Sequence, residues 1–244
     1  MIGFEQQANR FALDLMETLA GVLPRGDLGI DVAVSGGRGP LLAVVRQSDP
    51  DGISLDVEGE EHLRLILDLK CVWNSTQRYL GVRDSTFELR LRGPTEPLLR
   101  YDYLRDSGEG VPSAHINVHA HRDEMVMALI GSGRRHRGKS RIKALDDRRT
   151  PKLSQLHLPV GGHRFRPSLE DVLEMVVKEF GIDVRPDSYR AAIDAGRERF
   201  RARQLASAIG DDPASAAEAL RALGYTVLEG GKAPSVRLDR VRAL

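Results

Sequence analysis

Between residues 28 and 104 the chain repeats one pattern: a short run rich in apolar residues, often alternating with polar ones, then a cluster of turn formers. A period of two is what a half-buried β-strand requires, because successive side chains point to opposite faces. The runs are Leu28–Val34, Leu41–Arg46, Ile53–Val57, His62–Trp73, Thr86–Arg92 and Leu98–Leu104, and SGGRGP, SDPDG and GPTEP lie between them. This rhythm predicts an antiparallel meander.

Helices are expected at both ends. Phe4, Phe11, Leu15 and Leu19 share one face of a first helix that Gly21 and Pro24 end. A second helix opens at Pro167 and Ser168 with Asp171 three residues on, carries an apolar stripe from Leu169 to Phe180, and closes at Gly181. The tail from Pro186 is Arg- and Ala-rich and helical, with Tyr225–Leu228 as a last strand. The fold class predicted is therefore α+β: a curved antiparallel β-sheet packed against helices, with a C-terminal helical appendage. Residues 1–182 form the β-rich core domain, including the helix over 168–181, and 183–244 the appendage.

Composition narrows the class further. With 41% hydrophobic and 29% charged residues the chain is globular, and no apolar run is long enough for a membrane span. The N-terminus lacks the basic start and apolar block of a signal peptide. The single Cys71 lies in a strand-like apolar run and reads as a core thiol, consistent with a reducing cytoplasm. The net charge of +1 is uneven. Nine Lys/Arg against two Asp give residues 134–152 a local net of +7, which leaves about −6 for the rest. This stretch, including Arg134, Arg135 and Arg137, reads as a mobile basic loop suited to nucleic-acid phosphates, or as a merely solvated one.

The most distinctive chemistry lies at residues 115–121. His115, Asn117, His119 and His121 alternate with Ile116, Val118 and Ala120. As a strand, this segment lines three imidazoles and an amide along one face. His119 and His121 can converge on one small ligand, with His115 further out. They serve as a general acid and base, bind a divalent metal such as Zn, Fe or Mn, or form the solvated face of an edge strand. Two other segments supply neighbours. Residues 156–167 (LHLPVGGHRFRP) bring His157, His163, Arg164 and Arg166 to a helix N-terminus, a combination suited to phosphate. In residues 98–106 (LLRYDYLRD), Arg100 and Asp102 share one parity and Tyr101 and Tyr103 the other. The register decides which row meets the imidazoles. If it is the even row, Asp102 orients a histidine and Arg100 holds an anion; a structural ion pair is the alternative.

Arg100-Tyr101-Asp102, His119-Ala120-His121 and Pro167-Ser168-Leu169, in that order, resemble the TumE-type toxins of bacterial toxin–antitoxin systems. Tyr103 stands where that pattern has Asn, and the similarity spans about residues 89–180 of a much longer chain. The resemblance implies a toxin-like effector acting on RNA, with an antitoxin-like protein partner. His119, His121, Glu124 and His163 also resemble the metal ligands of a cupin, with different spacings.

The leading expectation is a metal-independent, ribonuclease-like effector. One strand histidine takes the proton of an RNA 2′-OH and another protonates the leaving oxygen, while Arg164, Arg166 or Arg100 stabilises the phosphorane. The alternatives are a histidine-ligated metal enzyme or sensor, and a non-catalytic binding module.

Overall fold

The computed structural model describes residues 3–26, 28–36, 40–74, 77, 79–93, 96–106, 113–119, 123–147, 149, 166–228, 230–231 and 235–241. Helix α1 (Phe4–Val22) precedes seven strands: β1 (Ile30–Ser35), β2 (Leu42–Gln47), β3 (Ile53–Val57), β4 (Glu60–Trp73), β5 (Leu80–Leu91), β6 (Leu99–Leu104) and β7 (Ala114–Val118). Helices α2 (Asp123–Ile130), α3 (His136–Asp146), α4 (Leu169–Phe180), α5 (Tyr189–Asp211), α6 (Pro213–Ala222) and α7 (Leu238–Val241) follow. The strands form one antiparallel sheet in the order β1-β2-β4-β5-β6-β7, with β3 also paired to β4. The protein is α+β, with a curved, unclosed sheet and helices at its C-terminal end.

Strand β4 organises the sheet. Its odd positions Leu63, Leu65, Leu67, Leu69 and Cys71 are all buried, while the even positions are only partly covered. The odd row of β5 and β6 joins them through Ser85, Phe87, Leu89, Leu99 and Tyr101, all buried. Helices α1 and α4 add Leu15, Leu19, Val172, Leu173, Val176 and Phe180 to the same core. Cys71 is a core thiol, its pKa pushed up to about 12 by burial.

One edge of β4 is too long for a single partner. β2 pairs with it over Val72 to Asp68, and β3 over Leu65 to Glu60. The amide of Leu67 falls between the two and donates instead to Gln47 Oε1 at 2.9 Å, from a side chain that is itself buried. Gln47→Ala should cost about 1–3 kcal/mol, because it leaves a buried N–H without an acceptor. A urea-unfolding midpoint close to wild type would contradict this.

Helix α4 begins and ends as the sequence predicts. Ser168 and Asp171 form a reciprocal capping box. Gly181 closes the helix with φ 69°, a left-handed conformation that favours glycine. Helix α5 lies against α1 and α4, burying Ile193 and Gly196. A Cβ on Gly196 would stand 2.3 Å from the Glu170 carboxylate, so glycine sets this close approach.

Three expectations change. The basic stretch is not a loop over residues 136–146, which form α3, packed on α4. Residues 125–133 (MVMALIGSG) suit either a short helix or a strand by sequence, and 125–130 are helical, within α2. Residues 225–228 form no strand, and Tyr225 and Leu228 are exposed. The histidine strand is also shorter than its alternation suggests. β7 ends at Val118, and His119 adds one last bond from its amide to Leu98 O. Leu153–Val160, a run that carries His157 and reads by sequence as a further strand, lies outside the described residues. No described helix is long and apolar enough to cross a membrane.

Candidate functional site

The register of β6 on β7 pairs Arg100 with Asn117 and Asp102 with His115. On the other side Thr86 of β5 faces Asp102, and Glu88 faces Arg100. Directly opposed residues project from the same face of a sheet. The even row of β6 therefore meets the histidine row, and Tyr101 belongs to the core side with Ile116.

Asp102 is the hub of this face. Its side chain is only 8% exposed, so its charge requires donors. Thr86 Oγ1 donates to Oδ1 at 2.9 Å. Arg100 Nε and Asn117 Nδ2 donate to Oδ2 at 2.7 and 2.9 Å. His115 Nε2 lies 3.7 Å from the same oxygen, within ion-pair reach but beyond a hydrogen bond. Arg100 is 43% exposed and His115 22%, so the carboxylate is covered while these two neighbours reach solvent.

The remaining predicted residues scatter. His119 has the parity of His115 and Asn117, but four residues along a strand span about 13 Å. These two imidazoles therefore do not share one reacting centre on an extended strand. His121, His157, His163 and Arg164 lie outside the described residues. Glu124 is at the start of α2. Among the described residues no three His, Cys, Asp or Glu side chains are grouped as metal ligands. His62 contacts Ala128 O through Nε2 at 3.0 Å and ties β4 to α2.

Much of the basic segment is neutralised. Arg137 and Arg141 both reach Glu179 on α4, at 2.6 and 2.7 Å, and Arg135 reaches Asp183 at 2.5 Å. Arg134, Lys139 and Lys143 stay exposed. Helix α3 docks at the C-terminal end of α4, whereas Arg166 precedes its N-terminal end, about 18 Å away along the axis.

Arg166 was expected beside the histidines. It lies at the junction of two cavities, one of about 220 Å³ that His115 and Asp102 also line, and one of about 860 Å³ between the sheet, α1 and α5. Its guanidinium packs over the rings of Tyr103, at 4.4 Å, and Phe200, at 5.3 Å, and donates to Ser85 Oγ at 3.1 Å. Burial lowers its pKa to about 10. Phe200 and the larger cavity had no sequence signal, because they depend on how α5 packs back onto the sheet. Comparison with family models, curated proteins and solved structures finds no match.

Proposed function

We propose that the protein is an RNA-acting effector in which His115, beside Asp102, is the acid–base group and Arg100 engages a phosphate. The observation that carries this reading is the pairing of Arg100 and Asp102 with Asn117 and His115 across two adjacent strands. The Asp102 carboxylate brings the imidazole and the guanidinium to one oxygen, 3.7 and 2.7 Å away. An exposed guanidinium held by that carboxylate suits a phosphodiester oxygen. In the reaction, His115 accepts the 2′-OH proton as the 2′-oxygen attacks phosphorus, and the bond from phosphorus to the 5′-oxygen breaks; the departing 5′-oxygen takes a proton from solvent, leaving a 2′,3′-cyclic phosphate and a 5′-hydroxyl.

The test is cleavage of single-stranded RNA by the purified protein without added metal. His115→Ala should lower the rate at least a hundredfold, and Asp102→Asn about tenfold or more. His119→Ala is the comparison for a site further along the row. Cleavage unaffected by His115→Ala overturns the assignment. A second reading, a non-catalytic binding module, is favoured by the three donors that already occupy the Asp102 oxygens. It predicts RNA binding that weakens with Arg100→Ala, with no cleavage by any variant.

A further inference from the structure

Arg166 presents a charge problem that the acid–base site does not explain. A guanidinium enclosed by protein is costly unless an anion balances it. Among the described residues no carboxylate lies within ion-pair distance of Arg166; its contacts are the Ser85 hydroxyl and the faces of Tyr103 and Phe200. Asp102 lines the smaller cavity too, but its oxygens are taken by Thr86, Arg100 and Asn117.

The surroundings are also basic. The larger cavity is lined by six arginines against three acids. Arg203 is paired with Asp14, and Arg199 lies 3.7 Å from Glu17. Arg105 lies near Arg166 and disfavours its charge further. Tyr101 lines the smaller cavity, and its buried hydroxyl makes no hydrogen bond within the protein. The two cavities share Phe87, Tyr103 and Arg166. Beyond this junction the larger one is walled by apolar groups that include Phe11, Leu15, Leu80 and Ile209. Its volume falls within the range of small-molecule sites.

We infer that this cavity binds an amphipathic anion, with a carboxylate or phosphate head on Arg166 and an apolar body between α1, the sheet and α5. The head supplies the missing counter-charge, and the body covers apolar walls that face a cavity too large to be a packing defect. The inference does not rest on the acid–base reading, because binding is measured without turnover.

The experiment is calorimetric titration of the full chain with dodecanoate, dodecyl phosphate, inorganic phosphate and the uncharged glycerol monoester of dodecanoic acid. Dodecanoate or dodecyl phosphate should bind, and whichever binds more tightly identifies the head. The uncharged ester should bind at least tenfold more weakly, and inorganic phosphate at least a hundredfold. Arg166→Met should lose at least tenfold in affinity for the anionic amphiphile. Ala206→Trp, at an exposed position of α5 that lines the cavity, should lose a similar factor while Arg166 is intact. This second variant keeps the test valid if Arg166→Met fails to fold. Equal affinity for charged and uncharged amphiphiles, tightest binding by inorganic phosphate, or no binding of either anionic amphiphile overturns the inference.

Discussion

Glu179→Ala should destabilise the protein by about 3–5 kcal/mol, the cost of leaving a buried charge without its partner. Glu179 and Arg141 are 2% and 4% exposed and meet at 2.7 Å. Arg141 also donates to the Glu179 backbone carbonyl, so one guanidinium ties α3 to the last turn of α4. Burial disfavours the charged guanidinium more than Glu179 favours it, so the Arg141 pKa is lowered on balance. Alanine removes the carboxylate and keeps the burial. Arg137, 46% exposed, reaches water and adds little to the loss. The double variant Arg141→Met, Glu179→Met should recover much of the stability, because apolar side chains of similar size replace the pair without a stranded charge. Urea unfolding of the singles and the double measures this. A single variant losing less than 1 kcal/mol would show that α3 is not held by this contact.

Acid should loosen α5 from α4 through Glu174. This carboxylate receives Lys178 and Arg190 on Oε1, at 2.7 and 2.9 Å, and Arg197 on Oε2 at 2.6 Å. Burial alone would raise its pKa, but hydrogen bonds from these three cations outweigh it and lower the value from 4.5 to about 2. The unfolded chain thus takes up its proton at a higher pH than the folded one. The contribution is complete above about pH 4.5 and is lost as pH falls through about 2. The shift corresponds to an upper bound of about 3 kcal/mol, and solvent around Lys178 and Arg190 reduces it to about 1–2 kcal/mol. Glu174→Gln should remove most of this dependence. If its stability falls between pH 5 and 3 as steeply as that of wild type, the clamp is not responsible.

The strands were legible in the sequence because β3, β4 and β5 bury one side only, and alternation records that directly. Helix α4 was equally legible, since its cap, stripe and terminal glycine all lie within fifteen residues. Helix α3 was not. Its apolar residues are few, and what holds it is a set of ion pairs with Glu179 and Asp183, more than thirty residues away in the chain. Pattern reading detects an apolar stripe and is blind to a helix held by distant charge. The candidate site was half legible. The sequence supplied both rows, Arg100 with Asp102 and the alternating histidines, but their register depends on backbone pairing that no local pattern encodes. Alternation continues to His121, whereas β7 ends at Val118. That is why weight moves from His119 and His121 to His115. The position of Arg166 depends on a helix that packs back from the far end of the chain.

The divided edge of β4 bears on how the chain finds its fold. β3 reaches β4 through a two-residue turn, so that hairpin closes a minimal loop and its contacts are local. β2 reaches the other half only after the chain has passed through β3 and returned, and α5 must come back across more than 160 residues to touch α1. Short closures lose little chain entropy and long ones more, so the order of assembly follows this ladder of separations. The Gln47 side chain sits where the early and late pairings abut, and its bond to Leu67 forms with the later one, β2 on β4.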